Sequence, residues 1–190
     1  MKTGLFFGSF NPIHQGHLIL ARHILNLFPI QEIWFVVSPH NPLKEKQTLL
    51  NDYERLHLVE MAIENHAQLQ ASAIEFKLPQ PSYTIHTLTH LSEKYPKREF
   101  YLIMGADNLE GLHKWKNAEL ILERYFILVY PRLGYDGSAY ENNPHVFQVN
   151  APVIELSATQ IRQFIREGKP IDFMVPENVR LHIEKEQLYR

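Results

Sequence analysis

The chain has no cysteine at all, which excludes disulfide staples, thiolate nucleophiles and cysteine-ligated zinc. It also lacks a strong charge of either sign: 19 basic against 21 acidic residues leave a formal net charge of -2. A broad surface for nucleic acid or for anionic membrane is therefore not expected, and any polyanion site has to be compact. Long hydrophobic runs are missing too. Leu5-Phe6-Phe7 near the start is far too short for a signal peptide or a membrane span, and no other run reaches spanning length. Internal repeats and low-complexity linkers are not found. What is present is ordinary for a soluble globular chain: 190 residues, 45% hydrophobic and 21% charged, enough for one domain over residues 1–190 around a single core. The absence of cysteine fits a cytoplasmic location.

Hydrophobic patterning alternates between short strands and helices. Leu5 to Phe7 ends at Gly8, and Ile13, Leu18, Ile19, Ala21, Leu25 and Phe28 follow at helical spacing over Pro12 to Phe28. Ile33 to Val37 is an apolar run closed by Ser38-Pro39, the pattern of a strand buried on both faces. Asp52 reads as the cap of a helix reaching about Asn65. Further strands are expected at Ala73 to Phe76, Phe100 to Met104, Tyr125 to Val129, Val146 to Val149 and Val153 to Leu156, with helices at Thr84 to Lys94 and Leu109 to Arg124. Gly134 to Pro144 reads as a surface loop. This order predicts a doubly wound α/β fold of the Rossmann-like kind, a mainly parallel sheet with helices on both faces, whose ligands bind beyond the carboxyl ends of the strands.

Two segments carry chemistry. In GSFNPIHQGHL, Gly8 ends the first strand, Pro12 precedes a helix, and His14 and His17 stand one turn apart on the same face of its first turn. A helix start offers unpaired N–H groups and partial positive charge, so two imidazoles there extend an anion site toward a polyphosphate. Gly16 is costly inside a helix by about 1 kcal/mol, which points to close packing against that turn, in a gap that an adenine or ribose would fit. Two capping or surface histidines would have the same spacing; so would a zinc pair, although no carboxylate or third histidine stands at a matching distance in sequence. In ELSATQIRQFIREG, Ser157 caps a helix ended by Gly168 and Pro170, and Ser157, Thr159 and Arg162 make a second cradle for an anion, or else a simple cap with a solvated arginine.

GSFNPIHQGHL resembles the G-x-F-x-P-x-H-x-G-H signature of the nucleotidyltransferase superfamily, especially its bacterial nicotinate-nucleotide adenylyltransferases, and Ser157-Ala158-Thr159-Gln160-Ile161-Arg162 resembles their I-S-S-T-x-I-R motif. Asn11 stands where the family often has Asp, Ala158 replaces a serine, and Leu133 replaces the proline of an Arg-Pro-Gly-Tyr segment. The resemblance spans Gly8 to Arg162, and it implies transfer of AMP from ATP to nicotinate mononucleotide with release of pyrophosphate. His14, His17, Lys44 and Arg162, with Mg²⁺ accompanying ATP, would surround the phosphates. Gly8, Ser9, Phe10, Gly16, Gly105, Asp107, Ser157 and Thr159 would hold ATP. Asn41, Tyr83, Thr84, Trp115 and Arg132 would hold the nicotinate nucleotide. A solvated loop lysine at Lys44, a plain helix cap at Thr84 and a packed core ring at Trp115 are the alternatives for those positions.

No protein base is expected, because the nucleotide's own phosphate, with a second pKa of about 6, is already a nucleophile at neutral pH. Two other acceptors, nicotinamide mononucleotide and phosphopantetheine, remain open, as does a non-catalytic nucleotide-binding module; a homo-oligomer is compatible with any of them. Substitution of His17 by Ala is expected to lower turnover by at least about tenfold with the fold intact, as loss of an electrostatic donor to the reacting phosphate should. Steady-state turnover together with circular dichroism checks this, and near-normal turnover would remove His17 from the machinery.

Overall fold

The computed structural model describes residues 1–39 and 49–190. Asn41 and Lys44 lie outside the described residues. The elements run β1 (Lys2–Gly8), α1 (Gln15–Leu27), β2 (Glu32–Val37), α2 (Asp52–Ile63), β3 (Leu69–Ser72), α3 (Thr84–Lys94), β4 (Glu99–Gly105), α4 (Ala106–Glu110), α5 (Ala118–Arg124), β5 (Phe126–Tyr130), β6 (Val146–Gln148), α6 (Ala158–Arg166) and α7 (Glu177–Lys185). The six strands form one sheet in the order β3-β2-β1-β4-β5-β6, and every pairing is parallel. This is the Rossmann-like order that the alternation predicts.

The sheet separates two apolar layers, as successive side chains of a strand must point to opposite faces. Phe6, Ile33, Phe35 and Val37 pack on one side with Leu20 and Ile24 of α1, Leu58 and Val59 of α2, Ile161 of α6 and Val179 and Ile183 of α7. Leu5, Trp34 and Val36 pack on the other with Ile85, Leu88 and Leu91 of α3, Leu109 of α4 and Ile121 of α5. All six residues of β2 are buried, which explains its uninterrupted apolar run. At the amino end of the sheet, buried Glu32 accepts hydrogen bonds from Thr3 Oγ1, Trp34 Nε1, Gln70 Nε2 and Arg98 Nη1, so its charge is satisfied on four sides.

Because β1 leads left to β2 and β4 leads right to β5, the order reverses between two adjacent strands. The helices following them, α1 and α4, lie on opposite faces and leave a crevice beyond Gly8 and Gly105. Several expected boundaries differ. The first helix begins at Gln15 rather than Pro12, with His14 extended at its cap, and the Asn11–Pro12 bond is cis. Residues Ile74–Lys77 form a 3-10 turn instead of a strand; the strand lies just before it, where only four residues pair with β2. The expected helix from Leu109 to Arg124 is broken at Gly111, at a 3-10 turn (Leu112–Lys114) and at Asn117, whose φ is 53°. Residues 153–156 are not a strand and approach α6 as irregular chain. Helix α7 was not anticipated. No helix among the described residues is long and apolar enough to cross a membrane.

Candidate active site

The crevice is built first by a short, crowded turn. Phe10 takes φ 45° and folds its buried ring under Gly8, where a Cβ would stand 2.8 Å from the ring; glycine is the residue that leaves room. Phe10 in turn meets the His17 ring edge-on at 5.0 Å, and Phe6 meets it at 5.8 Å. His14 and His17 stack with centroids 3.7 Å apart. The backbone N–H of His14 donates to His17 Nδ1 at 3.2 Å, which puts the remaining ring proton of a neutral His17 on Nε2. A Cβ on Gly16 would lie 3.0 Å from His14 Nδ1 and 3.3 Å from Ile154. The gap there, expected to receive adenine or ribose, is filled by the protein's own imidazole.

Both imidazoles are held neutral. Burial lowers the pKa of His14 to about 4, aided by the Arg132 guanidinium. Burial also pushes His17 well below its usual range, with His14 and Arg132 adding to the effect. They are therefore preset N–H donors rather than cations in the unliganded protein. His14 Nδ1 is buried without a hydrogen-bond partner among the described residues.

Gly105 closes the opposite wall. A Cβ at this position would collide with the Asp107 carboxylate and come within 3.0 Å of Arg132. Asp107 Oδ1 and Arg132 Nε are 3.6 Å apart, an ion pair too long for a hydrogen bond, and both atoms are buried without a hydrogen-bond partner among the described residues. Arg132 also lies over the Tyr130 ring at 5.3 Å. Its influence on both histidines groups it with the crevice between β1 and β4.

The second segment arrives from α6. Ser157 caps that helix by accepting from the Gln160 amide at 3.2 Å, as expected, and Gly168 ends it with φ 65°. Arg162 reaches back to the first segment: Nη1 donates to the Asn11 carbonyl at 2.7 Å and Nη2 to Thr159 Oγ1 at 3.2 Å. Ser9, beside Phe10, is exposed, and its carbonyl accepts from a buried arginine of α2.

A third group lies at the start of α3. Tyr83, not Thr84, is the N-cap residue; Thr84 is the first helical residue, so the plain-cap alternative for Thr84 fails. Lys116 Nζ sits 4.5 Å over the Tyr83 ring, a cation that motif reading passed over because it belongs to no motif. Trp115, half-buried, packs against the apolar layer of α3, α4 and α5.

Two further residues escaped the sequence reading. Arg55 is fully buried on α2 and donates to the carbonyls of Ser9, of Ser38 at 2.9 Å and of Leu50 at 3.1 Å, and to the Asp52 carboxylate. It ties the loop after β1 to the one after β2. The signal was available: Arg55, Leu58, Val59 and Ala62 share one helical face. Glu75 is buried against Thr87 Oγ1 at 2.8 Å, and burial raises its carboxyl pKa.

Comparison with known proteins decides the family. The Cytidylyltransferase-like family model matches residues 5–164. The chain is 50% identical to the "Probable nicotinate-nucleotide adenylyltransferase" of Flavobacterium psychrophilum, with 100% of each chain covered. It is 44% identical to the protein of the same description from Bacteroides thetaiotaomicron, over 94% of this chain and 89% of that one. The chain belongs to the nicotinate-nucleotide adenylyltransferase family. Among solved structures, the Plasmodium falciparum nicotinic acid mononucleotide adenylyltransferase complexed with NaAD shares this family fold, with a TM-score of 0.82 at 23% identity, covering 99% and 97% of the two chains.

Replacing Arg55 by Met should cost about 3 kcal/mol, because three carbonyls and a carboxylate lose their buried donor. Urea unfolding measures this, and an unshifted midpoint would show that the loops hold without it. The depressed histidines also set a pH window. The unfolded chain takes up protons near pH 6.5 and the folded chain only near pH 4 at His14, so this contribution is complete above 6.5 and is lost as pH falls toward 4. The loss of melting temperature between pH 7 and pH 4.5 should be smaller in His14→Asn than in the native chain. Equal losses would mean that His14 is not buried neutral.

Proposed function

We propose that the crevice between β1 and β4 transfers AMP from ATP to nicotinate mononucleotide, giving nicotinate adenine dinucleotide and pyrophosphate in the synthesis of NAD. The observation that carries the residue roles is the convergence of His14, His17 and Arg162 on one helix start, with Arg132 and Asp107 across the crevice from them. The phosphate of the mononucleotide attacks the α-phosphorus of ATP, a new P–O bond forms on one side, and the bond to the leaving pyrophosphate breaks on the other.

Like charges about 4 Å apart repel by about 4 kcal/mol at an effective dielectric near 20, so alignment and neutralisation are the whole of the protein's task. His17 offers Nε2–H and His14 its ring to the phosphate oxygens. Arg162 and the amides at the start of α6 add donors, and Lys44, which follows β2 in the sequence, is proposed to act with them. Gly8, Ser9, Phe10, Gly16, Gly105, Asp107, Ser157 and Thr159 form the ATP side. Neutral histidines suit this chemistry, because their protons strengthen as donors when negative charge moves onto the leaving group.

For the acceptor, Tyr83, Thr84, Trp115 and Asn41 are proposed to receive the pyridine nucleotide, with Arg132 near its phosphate. The amino end of α3 and the ammonium of Lys116 favour a carboxylate over an amide, which supports nicotinate as the preferred acceptor. Among the described residues no group of three or more His, Asp or Glu side chains could hold a metal ion. The donors present fit phosphate oxygens, so Mg²⁺ is proposed to enter coordinated by the ATP phosphates, where it would offset their charge. A cytoplasmic location goes with this reading.

Pyrophosphate release from ATP, measured with nicotinate mononucleotide, nicotinamide mononucleotide and phosphopantetheine offered separately, should be fastest with the first. Release with none of them would leave a binding module, and release with phosphopantetheine alone would move the chain to another branch of the superfamily.

A further inference from the structure

The chain beyond α7 makes a turn whose conformation has a cost. Gln187 and Tyr189 both take positive φ, 53° and 67°, a region that L residues enter at the expense of about 1 kcal/mol or more each. Leu188 N–H closes the turn on the Ile183 carbonyl at 3.0 Å. The preceding helix is fixed to α2 by His182 Nε2 and Glu54 Oε1, 2.8 Å apart. What the turn achieves is burial of Tyr189: its ring joins the apolar layer that holds Ile161 and Phe164 of α6. Its hydroxyl is then buried without a hydrogen-bond partner among the described residues.

That hydroxyl faces charge. It lies within electrostatic reach of Arg162 first, then of Arg55 and Glu54. Arg162 has the complementary deficiency: its Nη1 and Nη2 are engaged by the Asn11 carbonyl and Thr159, while Nε is buried without a hydrogen-bond partner among the described residues. A guanidinium N–H without an acceptor and a hydroxyl without a partner thus occupy the same region beneath the anion cradle. Unpaired buried groups of this kind are uncommon, and two that suit each other point to a state in which they pair.

We propose that Tyr189 is a positioning residue for Arg162, its hydroxyl oxygen accepting the Nε–H when a bound triphosphate draws the Nη donors away from Asn11 and Thr159. The pairing holds the guanidinium plane toward the phosphates. This inference rests on the reading of Arg162 as a phosphate ligand, and it gives the C-terminal turn a part in ATP binding with no contact to nucleotide.

The test is Tyr189→Phe in the full-length protein. Without ATP its melting temperature should equal or exceed that of the native chain, since only a partnerless buried hydroxyl is removed. Its KM for ATP should rise by at least about fivefold, the worth of one hydrogen bond to a charged group, while kcat and the KM for nicotinate mononucleotide stay within about twofold. In an Arg162→Ala background the same change should add nothing. An unchanged KM for ATP in Tyr189→Phe, or an equal further loss on top of Arg162→Ala, overturns the inference. If Arg162→Ala itself leaves the KM for ATP unchanged, the phosphate role of Arg162 falls instead.

Discussion

A single buried guanidinium holds the site's two loops in register. Arg55 comes from neither loop, yet it fixes the carbonyl of Ser9 on one and of Ser38 on the other while its charge is balanced by Asp52 from its own helix. The stacked histidines, the Phe10 ring and the Arg162 contact to the Asn11 carbonyl all depend on that loop being stationary. A lysine would not serve, because three carbonyls and a carboxylate at different bearings need the forked, permanently charged group.

The electrostatics of the crevice rest on keeping its donors uncharged until a ligand arrives. Phe6 and Phe10 meet the His17 ring edge-on and Phe35 backs Phe10, and Arg132 stands near enough to oppose protonation of both imidazoles. An empty site lined with several cations would strain the fold by mutual repulsion. With neutral histidines, the two arginines nearest them each have something to hold, Asn11 and Thr159 for Arg162 and Asp107 for Arg132.

The architecture was legible because local and global signals agree along most of the chain. The fully apolar run of β2 could only be a strand covered on both faces, and the capping serine of α6 and its closing glycine read correctly. The misread stretches are those where tertiary contact overrides local preference. Residues 74–77 have strand-forming side chains but make a 3-10 turn that places Glu75 against Thr87 of α3. The stretch after β4 has helical periodicity but is interrupted by Asn117 in the left-handed region. In the site, motif residues can be singled out from sequence because spacing on a helix turn fixes their geometry. Arg55, Glu75 and Lys116 were not, because each acts through neighbours contributed by other elements. Histidine protonation was equally invisible, being a property of burial and of the nearby Arg132.

The bond from Arg162 to the Asn11 carbonyl joins positions 151 residues apart. All six strands precede α6, so a chain ending before that helix would retain every strand of the sheet and lack half of the anion cradle. The two halves are clasped through Arg162 of α6 and by the Gln15 N–H, which donates to the Met174 carbonyl at 2.9 Å, and a polyphosphate lying between them would act as a tether between segments far apart in the polypeptide. Closing so long a loop is entropically unfavourable but grows only logarithmically with length. A ligand that spans it therefore adds its binding free energy to the stability of the whole chain. During synthesis on the ribosome, nucleotide could reward folding only after the last helices had emerged.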